Sequence, residues 1–318
     1  MLEPASSAVS EWAASVMSRL SSLLIGGLSF VAFVANTLFW FLPLTLVALV
    51  RVLAPWPPLV RACRATAHAI ASAWIGLNVL GLKAGGRMQW EVRQPHDVRP
   101  DAWYLVTCNH RSWVDIVVLQ WLFNRRLPML TFFLKRELFW VPALGLAWWA
   151  LEFPFMRRYP RAVLDERPDL RQKDFDTTRS ACERFRQAPV CVLNFLEGTR
   201  FTAEKRDRQA SPFRHLLLPR AGGTAQVVST LGDRLHAWLD VTIVYPAGTP
   251  TFWHLISGQI PRVRVHVEAI AIDPAWLGRD YLADEAFRDG FQAFVRELWM
   301  RKDARIGAML GALADLPA

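Results

Sequence analysis

An α/β fold, with a mixed or largely parallel sheet flanked by helices and preceded by a hydrophobic helical membrane anchor, is what three features of this 318-residue sequence predict. From residue 88 onward short β-rich runs alternate with helical ones, as in layered folds of strands between helices. The runs at 190–195 and 240–245 are almost wholly apolar, as strands buried on both faces are. Ahead of them, Ser21 to Val50 contains no charged residue and is bracketed by Arg19 and Arg51. The chain therefore divides into an anchoring region, 1–84, and an α/β domain, 85–318.

The 30-residue uncharged run is longer than one crossing needs. At ~1.5 Å per residue it reaches ~45 Å against a hydrocarbon core of ~30 Å, so it must tilt, kink near Pro43 or fold back as a hairpin. A cleaved signal peptide fits poorly, because the preceding stretch is long, carries Glu3 and Glu11, and is followed by no small-x-small site at a typical distance. Ordinary core helices seldom run so far without charge. Arg51, Arg61 and Arg64 after the run, against Arg19 before it, put the rest of the chain on the cytoplasmic side of the cell (inner) membrane by the positive-inside tendency. "APWPPLV" (54–60) breaks the helix, and the apolar stretch 67–82 packs on the first or lies at the interface.

In the second region the expected strands are 88–92, 103–108, 190–195, 240–245 and 263–270. Helices are expected at 113–124, 137–151, 174–187 and 223–231, and Phe287, Phe291, Phe294 and Leu298 recur at the spacing of a final amphipathic helix. The apolar stretch 143–155 reads equally as a core helix or as a segment that lines a lipid-chain tunnel or dips into the bilayer interface.

Lys and Arg number 37 against 28 Asp and Glu, giving a net charge of +9. A basic, apolar chain suits a phosphate-bearing partner, either nucleic acid or an anionic lipid surface. Nucleic acid needs interleaved basic and aromatic residues on one face or a recognised module, and the sequence offers neither. The 15 tryptophans fit a membrane interface as well as a core. Cys63, Cys108, Cys182 and Cys191 form no C-x-x-C and no cluster with histidine, which argues for a reducing compartment and against a disulfide framework or a metal site.

The stretch "CNHRSWVD" (108–115) follows directly on an expected strand. On one continuous helix His110 and Asp115 would be rotated ~140° apart, and on a strand they would face opposite ways. They meet if the strand ends at Cys108 and a helix starts with Ser112 as N-cap and Asp115 as the return partner of a capping box. A base and its orienter would then sit at the carboxyl end of a strand, where α/β folds place their sites. Read alone, Ser112 and Asp115 can equally do no more than cap a helix.

Five blocks in order make the function legible. "NHRSWVD" is similar to the N-H-x-S-x-x-D signature of the glycerolipid acyltransferases, and "NFLEGTR" (194–200) resembles their F-P-E-G-T-R motif, with Leu196 in place of proline. "KRELFWVPALG" (135–145), "FPFMRR" (153–158) and "LLLPRAGG" (216–223) resemble the remaining blocks, the last in the form of the subgroup that contains lysocardiolipin acyltransferases. The resemblance implies a membrane-bound enzyme of phospholipid biosynthesis. It would move a fatty acyl group from acyl-CoA or acyl carrier protein to the free hydroxyl of a lysophospholipid, 1-acylglycerol-3-phosphate first, with lysocardiolipin or another lysophospholipid as alternative acceptors. It implies no bound cofactor or metal. His110 and Asp115 would be catalytic, and Arg157, Arg158, Glu197, Gly198, Thr199 and Arg200 would bind substrate, with Lys135 and Arg220 behind them; Glu197 would fix Arg200 or contact an acceptor hydroxyl. No G-x-S-x-G occurs in the chain, so a serine hydrolase is not indicated. From another class, a non-catalytic membrane-tethered protein binding anionic ligands is the competing reading.

Overall fold

The computed structural model describes residues 4–84, 88–95, 97–157 and 166–311. Two helices come first, α1 (Pro4–Leu53) and α2 (Pro57–Ala84). Next are β1 (Gln89–Arg93), β2 (Trp103–Cys108), α3 (Val114–Phe123), β3 (Leu130–Phe132) and β4 (Leu134–Lys135). A 3-10 turn at Arg136–Trp140 leads into α4 (Leu144–Ala150) and β5 (Phe155–Met156). The second half holds α5 (Pro168–Phe185), β6 (Cys191–Phe195), α6 (Ala203–Arg208), α7 (Gly222–Leu231) and β7 (Leu235–Val244). It closes with α8 (Phe252–Ile256), β8 (Arg262–Ile270) and α9 (Glu285–Gly311).

Six strands form one sheet in the order β1-β8-β7-β2-β6-β3, in which only the β7–β8 pair is antiparallel. Two-residue alternation sends side chains of each central strand to opposite faces, and both faces are apolar. Tyr104, Val106, Cys191, Leu193, Val241 and Ile243 pack with α3 on one side. Leu105, Val192, Trp238 and Val244 pack with α7 and α9 on the other. The five expected strands are all present; β7 begins five residues earlier than its most apolar part, because Leu235–Asp240 already pairs with β2 and β8.

The helix expected over 137–151 is broken. Pro142 and Ala143, the latter in the left-handed region at φ 60°, separate the 3-10 turn from α4. Proline disfavours helix for the residue before it, so this run could not continue.

α1 continues as helix through Pro43, and residues 54–56 turn the chain into α2, so the two helices form a hairpin. Leu44 and Ala48 of α1 meet Ala67 and Ile70 of α2 over Ala150 of α4. The hairpin lies along the sheet domain rather than standing away from it. Midway along α1, Gly26 sits so close to α8 that a Cβ there would come within 2.7 Å of the Trp253 ring. Further along, Phe33 contacts Phe252 edge-on at 5.5 Å and Ser72 bonds Asn124 at 2.8 Å. At the turn end, Arg51 donates to the Ala150 carbonyl at 2.9 Å, and Arg64 grips Glu152 with two bonds of 2.5 and 3.1 Å. Glu152 closes α4 in the left-handed region at φ 61°, and although burial pushes its carboxyl up, the Arg64 bond and the Arg51 and Arg64 charges bring it below its ordinary value. Both helices are long and apolar enough to cross a membrane by length and composition. Leu24, Leu28, Leu38, Leu42 and Leu46 are exposed on α1.

Beneath the sheet a polar chain runs through the second core. Lys302 of α9, fully buried, bonds the Val241 carbonyl at 2.6 Å and faces Asp240 at 3.0 Å. Asp240 accepts from Thr107 at 2.8 Å, which accepts from the Trp238 indole at 2.9 Å. Removing Lys302 leaves the buried Asp240 with only the more distant Arg305, at 3.8 Å. Lys302→Met should cost ~3–5 kcal/mol in denaturant unfolding, whereas Arg301→Ala, which breaks the exposed pair with Glu297, should stay within ~0.5 kcal/mol.

Candidate active site

β2 ends at Cys108, and the next residue locks the turn. Asn109 exchanges two side-chain hydrogen bonds with the backbone of Ile243, each 2.9 Å, as a strand residue would. This holds the carboxyl ends of β2 and β7 together and sends the chain out at His110. The His110 amide donates to Glu197 Oε1 at 2.7 Å, and its carbonyl accepts from the Phe201 amide at 2.8 Å. Its imidazole stacks on Phe195 with centroids 4.0 Å apart.

The His110–Asp115 pair forms as expected: Nδ1 lies 2.9 Å from Asp115 Oδ2. Asp115 is 0 % exposed, and its Oδ2 also accepts the amides of Arg111 at 2.6 Å and Ser112 at 2.8 Å. Oδ1 accepts the Tyr245 hydroxyl at 2.7 Å. Two amides and a hydroxyl already donate to this carboxylate, an arrangement suited to an acceptor; in the neutral tautomer with its proton on Nδ1 facing Asp115, Nε2 is the nitrogen left with a lone pair. Among the described residues nothing hydrogen-bonds Nε2, and the His110 side chain is 15 % exposed. Burial, with Asp115 beside it, pushes the Tyr245 phenol well above its ordinary range, so it stays a donor. Tyr245 was not anticipated; the available signal was a tyrosine closing the apolar run expected as the strand 240–245.

The capping box differs from the expectation. α3 starts at Val114 with Trp113 at the cap and no side-chain cap bond. The carboxylate half survives, since Asp115 reaches back to the Ser112 amide. The Ser112 hydroxyl instead accepts from the Val114 amide at 3.1 Å and donates to the Pro250 carbonyl at 2.6 Å.

Glu197 also departs from the expectation that it fixes Arg200 or meets an acceptor hydroxyl. It is 1 % exposed, and its two oxygens accept the amides of His110 and Leu217, at 2.7 and 2.9 Å. Burial pushes its carboxyl up to about 7, against the opposing pull of those two bonds and the Arg111 and Lys302 charges. Gly198 turns the chain at φ 66°, and Arg220 lies across it, 3.1 Å from where a Cβ would stand. The Thr199 hydroxyl accepts from Lys205 at 2.9 Å, and Lys205 also bonds the Arg200 carbonyl at 2.9 Å. Lys205 was missed because α6 reads as an ordinary charged surface helix. The exposed Arg200 guanidinium stands 5.3 Å over the Trp113 ring, three residues from His110. Arg220 thus joins the His110 neighbourhood through Gly198. Exposed Arg157 follows β5, whose Met156 pairs with Lys135 of β4, apart from the main sheet. Arg158 lies outside the described residues.

A cavity of about 1340 Å³ opens between the hairpin and α3. Trp113, Val117 and Gln120 line it from α3 and its cap, Phe33 and Trp74 from the hairpin, and Trp148 from α4. The stretch 143–155 is split between two settings: Ala150 is buried against α1 and α2 while Leu144, Trp148 and Leu151 face the cavity. Among the described residues no three His, Cys, Asp or Glu side chains cluster as metal ligands.

An acyltransferase family model matches residues 89–249, which hold His110, Asp115, Glu197, Arg200, Arg220 and Tyr245. Residues of the chain are 27% identical over 223 positions to 1-acyl-sn-glycerol-3-phosphate acyltransferase 2 of Brassica oleracea, covering 65% of this chain and 52% of that one. Lysocardiolipin acyltransferase 1 of Danio rerio is 30% identical over 217 positions, 64% of this chain and 51% of that one. The chain thus spans about half the length of these relatives. A solved structure of the 1-acyl-sn-glycerophosphate acyltransferase PlsC of Thermotoga maritima matches 85% of this chain and 97% of that one, with a TM-score of 0.44 and 17% identity.

Glu197 generates a pH prediction. Its folded carboxyl titrates near 7, above the 4.5 of a free side chain, so its contribution to stability is fully present below ~4.5 and is lost as pH rises through ~7. The stability difference between wild type and Glu197→Gln should therefore shift against wild type by up to ~3 kcal/mol between those limits and stay flat outside them, as read by urea unfolding across pH.

Proposed function

Since the chain belongs to the acyltransferase family, we propose that it transfers a fatty acyl group from acyl-CoA or acyl carrier protein to the free hydroxyl of a lysophospholipid, 1-acylglycerol-3-phosphate first among them. The observation that carries the reading is the His110–Asp115 pair, with Nδ1 held by a buried carboxylate and Nε2 unclaimed. A hydroxyl is a weak nucleophile until a base removes its proton during attack. Nε2 takes that proton as the acceptor oxygen bonds to the thioester carbonyl carbon. The tetrahedral oxyanion then collapses, the carbon–sulfur bond breaks, and the thiolate leaves with the proton returned by the imidazolium. Asp115 stabilises the imidazolium in between and keeps the ring in one tautomer, with Tyr245 and two amides fixing the carboxylate in turn. No covalent acyl-enzyme is needed, and Cys108, fully buried with its thiol pushed far up by that burial, is unsuited to forming one.

Arg200 is the leading candidate for the acceptor phosphate, because its guanidinium is exposed beside Trp113 and offers a fork matched to phosphate oxygens. Arg220 flanks it across Gly198, and Arg157 and Arg158 complete the expected set. The cavity beside Trp113 is apolar enough to hold an acyl chain.

The membrane reading follows from docking. Contacts from Gly26 to Arg51 tie α1 to the sheet domain over ~38 Å, more than a ~30 Å hydrocarbon core. A docked hairpin cannot cross without taking the domain along, so its outer leucines enter one leaflet of the inner membrane. Arg51, Arg61 and Arg64 after the uncharged run, against Arg19 before it, support a sheet domain facing the cytoplasm, with 1–84 as anchor to an 85–318 catalytic unit.

The deciding experiment is an acceptor-by-donor screen of the detergent-solubilised protein, with products identified by mass spectrometry. Acceptors would be 1-acylglycerol-3-phosphate, glycerol 3-phosphate and lysocardiolipin, each with acyl-CoA and acyl carrier protein. No acyl transfer in any combination would leave the non-catalytic binding reading standing. His110→Ala should lower thiol release from the active pair by at least ~10²–10⁴-fold with an unchanged melting curve. Arg200→Ala should raise the KM for the acceptor ~10- to 150-fold, the loss of a charge-assisted bond worth ~1.5–3 kcal/mol, with little change for the thioester. Equal effects on both substrates would assign Arg200 a structural role.

A further inference from the structure

The residues around His110 are not held by the sheet alone. Its amide is fixed by Glu197, and the other oxygen of Glu197 is fixed by the Leu217 amide. Leu217 belongs to a stretch, 211–221, with neither helix nor strand, so no backbone ladder sets its position. What sets it is α9. The Trp299 indole donates to the Leu217 carbonyl at 2.9 Å, and the two oxygens of Asp303 accept the amides of His215 at 2.7 Å and Arg214 at 3.0 Å. The same stretch touches the catalytic turn a second time, where the His215 carbonyl accepts from Arg111 at 3.0 Å. One residue before Asp303, Lys302 pins the helix to β7 through Val241 and Asp240. Trp299 and Asp303 are four apart and so share a helix face.

We propose that Asp303 and Trp299 are positioning residues for the His110 base, acting through the 214–217 stretch and Glu197. The inference rests on the reading of His110 as the base, and it adds a part of the chain that the 89–249 family match does not include. Asp303 never meets substrate. It holds two amides whose displacement would free the Leu217 amide from Glu197, and with it the frame of His110. A carboxylate suits the place because both partners are N–H donors; an amide side chain of the same shape would turn an NH₂ group toward one of them.

The test uses the full chain in detergent and the substrate pair found active. Asp303→Asn should lower kcat ~10- to 100-fold, the scale of a small misplacement of a catalytic group, with both KM values within about twofold of wild type. Amide hydrogen exchange read by mass spectrometry should quicken at 109–113 and 213–218 and stay unchanged in α1, α2 and β8. Arg301→Ala, on the exposed side of the same helix, should match wild type in both readouts. If Asp303→Asn melts below the assay temperature, Trp299→Phe replaces it, keeping a ring in the core while removing the indole donor. A wild-type kcat, or a lowered kcat with unchanged exchange at 109–113, overturns the proposal. Wild-type protein inactive with every acceptor would instead defeat the reading of His110, and the exchange result would still decide whether α9 holds the turn.

Discussion

A carboxylate without access to water is the condition that the rest of this site answers. Burying Asp115 ionised is costly unless its oxygens are filled, and four donors fill them. Two are amides of the turn it belongs to, one is the histidine, and one is a tyrosine from the end of β7. That donor set fixes the path of residues 109–115, because the Arg111 and Ser112 amides must point inward. It also requires β7 to run past the end of β2, whose Cys108 pairs with Val241, so that Tyr245 reaches the turn; the Asn109–Ile243 bonds hold that overhang. The orientation of the imidazole is thus a by-product of satisfying a buried charge.

Glu197 is a second buried carboxylate, solved differently. It gathers backbone amides from two separate segments, and the nearby cations act on it without a direct bond. Asp115 faces the reacting edge through histidine, whereas Glu197 ties the loops behind it. The two carboxylates therefore divide the work between orienting one side chain and holding the frame around it. The hairpin contributes differently again, roofing α3 and making the cavity a shared product of the anchor and the domain.

Much of this was legible in the sequence, and the exceptions have physical causes. The strands were visible because burial on both faces demands continuous apolar runs, as at Cys191–Phe195. The His110–Asp115 pair was visible because a five-residue spacing makes sense only at a strand-to-helix turn. Tyr245 and the Glu197 contacts were not visible, since both join segments far apart in the chain and leave no periodic trace. Ala143 and Glu152 hid a broken helix behind an apolar composition that suits a helix equally well, their left-handed backbone being unmarked by glycine. The hairpin's close fit to the domain was also hidden, because exposed leucines and buried ones read alike in an uncharged run.

The placement of α9 has a consequence for assembly. During synthesis the turn that carries His110 leaves the ribosome early, followed in order by Glu197, the stretch it binds, and β7. Lys302 follows all of these, yet it supplies the charge that Asp240 needs under the middle of the sheet. Until that lysine arrives, Asp240 lies beneath β7 without its nearest cation, and the sheet has reason to stay loose at its centre. Domains tend to fold as units, N-terminal parts first. In this one the histidine is made early and its setting is completed late, so a chain broken off before α9 would carry every motif residue and still lack a finished site.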